Sequence, residues 1–271
     1  MSMADGKRIL RETAMKDPGD KAMLIRILGL GAVFILLLWS LLAPPPASSQ
    51  AGPLLASDLL LQRDTPELSF RWSLPAEAGL EPALVRAMRD EAEQGFESQQ
   101  AEAQSARADA DREGFPFRGN VWRQRWTTEA ETPLLLTLSS QTYAYAGGAH
   151  GGIFHAGTIF NRKSQMRISF RSLFRNYEAA YAALEPGWCA ALESAQRMRR
   201  GGETVEGFTA CPLLAEQTIV PTGDAPIRAF RVLVAPYVAG PWSEGSYEIV
   251  LDASPAYPFL DPQVAPAFAK P

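Results

Sequence analysis

Residues 80–126 read LEPALVRAMRDEAEQGFESQQAEAQSARADADREGFPFRGNVWRQRW, and the apolar period changes at Gly114. Before it, Leu84, Val85, Met88, Ala92, Phe96, Ala103, Ala106 and Ala110 recur at helical steps among Glu, Gln, Arg and Asp. That spacing predicts one long amphipathic helix over about 80–113, its apolar face narrowing to alanine. Pro82 suits the first turn, where its missing N–H is not needed. Gly114 suits the stop, because a left-handed residue ends a helix at little cost to glycine. After Gly114 the period returns to two, which is the repeat of a half-buried strand.

The same reading extends in both directions. Leu68-Ser-Phe70-Arg-Trp72-Ser-Leu74 alternates as a strand and stops at Pro75. Residues 117–130, 133–145 and 153–160 are expected to be three antiparallel strands, with a hairpin turn at Asn161–Ser164 and a short strand at Arg167–Phe170. A second helix is expected near 176–200, carrying Tyr177, Tyr181, Leu184, Trp188, Leu192 and Met198, with Pro186-Gly187 breaking or kinking it. Two last strands are expected at Ile227–Val234 and Ser246–Leu251, and a Pro-rich tail, docked or frayed, at 254–271. Helices and strands do not alternate one for one, so the expected class is α+β with an antiparallel sheet.

Upstream lies an apolar run, residues 27–43, with no charge inside it. Six basic residues precede it (Lys7, Arg8, Arg11, Lys16, Lys21, Arg26), and the next is Arg63. The run meets the lower limit for spanning hydrocarbon. Its positive flank puts residues 1–26 in the cytoplasm and the body outside the bacterial cytoplasmic membrane. The reading favours an uncleaved single-pass anchor over a cleaved signal peptide, whose cleavage site would be Ser49-Gln50-Ala51. No cysteine lies near the run, which excludes a lipoprotein anchor. The Pro-rich stretch 44–59 is then a stiff spacer.

Of the chain's 26 Lys/Arg and 30 Asp/Glu, six and four fall in the head, so the body carries six more acids than bases. That balance argues against nucleic acid as a partner. Cys189 and Cys211 are the only cysteines. In an oxidising compartment they are expected to form one disulfide, and their spacing fits neither a redox nor a zinc motif.

Two Gly-rich segments carry the remaining signal. One runs Tyr143-Ala-Tyr145-Ala-Gly147-Gly148-Ala149-His150-Gly151-Gly152, the other Ala235-Pro236-Tyr237-Val238-Ala239-Gly240-Pro241-Trp242-Ser243-Glu244-Gly245. Both read as sheet-edge turns with aromatics beside them. The first has no Lys and precedes a strand, so it is not a phosphate loop. His150 and His155 are an odd number apart, which on a regular strand points them to opposite faces and disfavours a shared metal. Ser139 or Ser140 with His150 as base lacks any nucleophile elbow. The plainest reading has His150 pinning its turn by a backbone hydrogen bond. The functional reading has Tyr143, Tyr145, His150, Tyr237 and Trp242 as ligand contacts, since aromatics beside a groove suit a sugar ring or a protein partner. No catalytic residue, metal or cofactor is expected.

The first motif resembles the Tyr-x-Tyr-x-Gly-Gly-Ala-His-Gly signature of the extracytoplasmic module in PdaC-type peptidoglycan deacetylases and in the family of the lysozyme-sensing anti-sigma factor RsiV. The matching residues are Tyr143, Tyr145, Gly147, Gly148, Ala149, His150 and Gly151, preceded by a matching strand over Thr132–Ser139. Pro236-Tyr237-Val238-Ala239-Gly240-Pro241 looks like the Pro-Tyr-x-x-Gly turn of the companion domain, and Ile168–Phe174 like that domain's opening. The resemblance implies an α+β body in two abutting halves, 60–160 and 161–253. It does not imply deacetylation, which in those enzymes belongs to a separate domain with its own metal-binding Asp and His residues. What it implies is a non-catalytic envelope module that binds peptidoglycan or a lysozyme-like protein. The other readings are an anti-sigma-like signalling protein whose head captures a cytoplasmic partner, and an envelope hydrolase using His150.

Overall fold

A computed structural model describes residues 55–271. The expected cytoplasmic head, the apolar run and most of the spacer lie outside the described residues. Among those described, no helix is long and apolar enough to cross a membrane.

Six strands form the first sheet in chain order: β1 (Leu60–Asp64), β2 (Leu68–Ser73), β3 (Asn120–Glu131), β4 (Leu135–Tyr145), β5 (Gly152–Asn161) and β6 (Met166–Ile168). The helix α1 (Pro82–Glu113) connects β2 to β3. Pro82 opens its first turn, and Gly114 closes it in the left-handed region with φ 75°, its N–H donating to the Ala110 carbonyl. Because a helix intervenes, β2 and β3 run parallel, whereas every other pair in the sheet is antiparallel. The all-antiparallel expectation is corrected at this one pair: a crossover through a helix returns the chain in the same direction, where a tight turn would reverse it. Phe70, Trp72, Leu136, Leu138 and Phe160 line the face that packs on Leu84, Val85 and Met88 of α1. Beyond Ala92 only Ala103 of that helix is buried, which is where the apolar stripe had thinned.

The second helix, α2 (Tyr177–Arg200), starts at an Asn176 cap whose Oδ1 accepts from the Ala179 N–H. It runs unbroken through Pro186, so of the expected break or kink the break is absent. Pro186 and Gly187 sit on the exposed side, where water can solvate the freed carbonyl, while Leu184, Trp188 and Leu192 hold the other face in the core. Three antiparallel strands, β7 (Thr218–Thr222), β8 (Ala229–Val234) and β9 (Tyr247–Asp252), form the second sheet in that order. α2 packs on it through Trp188, Phe230, Val232 and Tyr247.

β1 and β7 were not legible in the sequence. β1 buries only Leu61, and β7 carries Pro221, which a sheet tolerates on an edge strand such as this one. The segment 254–271 is docked. Phe268 is buried, the Ala269 N–H donates to the Ile227 carbonyl and the Asp261 N–H to the Leu173 carbonyl.

Cys189 and Cys211 form a disulfide, tying α2 to the loop that follows it. Trp188 Nε1 donates to the Pro212 carbonyl at 2.8 Å, closing the same loop beside the bridge.

Candidate functional site

The lower half of the first sheet's second face is covered by the second sheet. Gly157 on β5 lies so close to β7 that a Cβ there would collide with Val220. Nearby, β3 bulges between Thr128 and Ala130. A bulge redirects the side chain it inserts. Here Glu129 turns towards the second sheet and accepts from Arg231 Nε at 2.8 Å, Thr222 Oγ1 at 2.8 Å and Ser139 Oγ at 2.6 Å.

The upper half of that face is open. Register places Arg123 opposite Tyr143, and Arg125 opposite Gln141 and then His155. Together with Thr127, Ser139, Leu233 and Glu248 these line a cavity of about 510 Å³. His155 Nε2 meets Ser246 Oγ at 2.8 Å. Burial holds the imidazole below its ordinary pKa, partly offset by a backbone hydrogen bond to Ser140 and by the Glu248 charge, so the ring stays neutral at pH 7.

At the end of this cavity the two Gly-rich turns meet. His150 Nε2 lies 3.2 Å from the Tyr237 hydroxyl, and its ring stacks on Trp242 at 4.4 Å between centroids. Trp242 Nε1 donates to the Gly151 carbonyl at 3.1 Å, and His150 Nδ1 lies 3.0 Å from that same oxygen. The Tyr143 ring packs over Gly151, where a Cβ would come within 2.5 Å of it. Tyr237 has φ 71° and is 59% exposed. A bulky residue in the left-handed region costs on the order of 1 kcal/mol and persists only where its surroundings impose it. Here Tyr237 N–H donates to the Gly240 carbonyl at 2.8 Å.

The C-terminal turns of α2 hold the second loop in place. Gln196 Nε2 and Arg200 Nη2 donate to the Ala239 carbonyl, at 2.8 and 2.9 Å. Arg200 also pairs with Glu244 through Nε and Nη2, and Tyr247 donates to Glu244 from its hydroxyl. The Arg200 guanidinium holds the Glu244 carboxyl below its ordinary range.

The structure thus places His150 in contact with both Tyr237 and Trp242, and Tyr143 against Gly151. Tyr145 sits apart. Its hydroxyl donates to the Gly148 carbonyl at 3.2 Å, and it lines a separate cavity with Ala106, Ala110 and Phe117. Arg123, Arg125 and Gln141 escaped the sequence reading, and His155 entered it only as a disfavoured metal partner of His150. Their signal lay in Trp122-Arg-Gln-Arg-Trp126, whose alternation puts both arginines on the face away from the indoles. Among the described residues, no group of three or more His, Cys, Asp or Glu could hold a metal ion.

Residues 61–152 match the family model for Deacetylase PdaC. The resemblance read from the first Gly-rich motif is borne out over that segment, which runs from β1 through the His150 turn. The match ends before β6 and the second sheet. No curated protein matches the chain. Among solved structures, the chain is similar to a DUF3298 family protein from Pseudomonas aeruginosa PAO1, at 14% identity and TM-score 0.36, covering 55% of this chain and 66% of that one. It is also similar to a DUF3298 family member from Bacteroides fragilis NCTC 9343, at 14% identity and TM-score 0.45, covering 73% of this chain and 85% of that one.

Proposed function

We propose that this chain is a membrane-anchored, non-catalytic binding module of the bacterial cell envelope, its body outside the cytoplasmic membrane and its ligand peptidoglycan or a lysozyme-like protein acting on glycan. The observation that carries the reading is the meeting of the two Gly-rich turns. Residues about ninety positions apart in sequence, His150 and Trp242, stack beside Gly151, against which packs Tyr143, a residue lining an open polar cavity. An exposed phenol, Tyr237, and a half-buried indole, Trp242, beside hydrogen-bonding groups suit a pyranose ring or the edge of a protein partner. The non-catalytic reading draws on the histidines' surroundings. His150 contacts a phenol, an indole and a carbonyl, and the His155 ring is oriented by a backbone group, with no carboxylate bonded to it. A general base for acyl transfer ordinarily has an acid in that place.

The test is a pull-down of the full-length chain, purified in detergent, on peptidoglycan sacculi and on immobilised lysozyme. Tyr237→Ala and Trp242→Ala are expected to lower retention on one of the two at least tenfold, with circular dichroism unchanged. Retention on neither, or retention indifferent to both substitutions, would reject the reading.

A further inference from the structure

We infer that the row of donors on β3 and β4 is an anion subsite, and that it holds an acidic group of the ligand whose ring or edge the Trp242 cluster contacts. The inference rests on the proposed binding role of this cavity and adds the ligand's charge.

Arg123 and Arg125 are alternate residues of one strand, so both project from the same face, about 7 Å apart. Tyr143 and Gln141 are their partners across β4, about 5 Å away. All four line the 510 Å³ cavity. Among the described residues, neither arginine forms an ion pair.

The acids that line the cavity are already engaged. Glu129 accepts from Arg231, Thr222 and Ser139. Glu248 accepts from Arg231 Nη1 at 2.9 Å. On β1, Asp64 shares this face but accepts from Gln62 at 3.1 Å and Ser69 at 2.9 Å. Two guanidiniums and an amide therefore face a concavity whose two lining carboxylates share Arg231, while Arg71 and Arg123 act on Asp64 through charge alone.

This occurs on a body that carries more acids than bases. A local excess of positive charge in a cleft concentrates anions there, and the fork of a guanidinium matches the two oxygens of a carboxylate or phosphate. Tyr143 joins the row to the aromatic cluster, since its ring packs on Gly151, whose carbonyl accepts from Trp242. One ligand can then present an acidic group to the arginines and a ring to the indole.

The experiment is calorimetric titration of the full-length chain in detergent with three probes: N-acetylmuramic acid, its methyl ester, and inorganic phosphate. The acid is expected to bind at least tenfold tighter than the ester. Arg123→Ala and Arg125→Ala should each abolish that preference, and raising the salt should weaken the two anions, the acid and phosphate, but not the ester. Both arginines are exposed, so the variants should fold, with thermal unfolding as the check. Equal binding of acid and ester would overturn the anion subsite and leave the glycan reading standing. Phosphate binding that needs the arginines, without binding of either sugar, would uphold the subsite and reject the glycan. Binding of no probe would overturn both.

Discussion

Gly151 stands at the point where three contacts converge. Its carbonyl accepts from Trp242, its backbone carries the His150 turn, and its missing side chain leaves room for the Tyr143 ring and the Ala144 carbonyl. A Cβ would lie 2.5 Å from that ring and 2.7 Å from that oxygen. Overpacking of this kind costs about 1–3 kcal/mol. Gly151→Ala should therefore lower stability by about 2 kcal/mol in urea unfolding and separate His150 from Trp242. Wild-type stability in that variant would show the ring moves aside freely. The glycine density of both turns was plain in the sequence, and so were the aromatics beside them. Which aromatics meet was not. The contact of His150 with Tyr237 spans 87 positions and depends on how two sheets pack, and no local pattern encodes that. Tyr145 carries the same motif as Tyr143 yet serves a different cavity, so motif membership alone did not assign it.

Elements were legible where propensity and packing agree. α1 ends where Gly114 ends it, because a left-handed glycine stops a helix whatever surrounds it. α2 passed its proline because buried Leu184 and Trp188 outweigh one exposed lost hydrogen bond, a tertiary effect that local rules miss. The last turn of α2 matters most for the site. Arg200 and Glu244 have side chains only 7% and 12% exposed, and they fix the loop carrying Trp242 from below. Removing one partner of a buried pair strands the other's charge, which costs about 3–5 kcal/mol. Arg200→Ala should destabilise by about 3 kcal/mol and change the environment of Trp242, seen by near-ultraviolet circular dichroism. Arg200→Lys keeps the charge but not the two-pronged geometry, and should fall between. A loss under about 0.5 kcal/mol, typical of an exposed ion pair, would mean the loop is held by the backbone alone.

At the scale of the whole molecule, the two sheets are joined by polar contacts as well as apolar ones. Thr218 Oγ1 donates to the His155 carbonyl at 3.2 Å, and His155 reaches Ser246 across the same seam. This seam should make the protein sensitive to acid. The fold prefers neutral His155, whose folded pKa lies below its ordinary value near 6.5. Between those two values the unfolded chain binds the proton more readily, so stability falls as pH drops through that window. Glu248, the carboxylate facing the ring, is engaged by Arg231 and opposes the shift only in part. Glu244 acts in the same direction at lower pH. Its folded pKa is depressed from 4.5, so the stability it contributes is present above that value and is lost as pH falls through the folded one. The melting temperature should therefore decline in two limbs, one beginning below about pH 6.5 and a second below about pH 4.5. His155→Gln removes the titrating group and should flatten the first limb while leaving the second. Differential scanning calorimetry from about pH 8 down to about pH 2 would separate them. A wild-type melting temperature that held level down to pH 5 would mean that the fold accepts the protonated imidazole, and that the contact with Ser246 survives its charging.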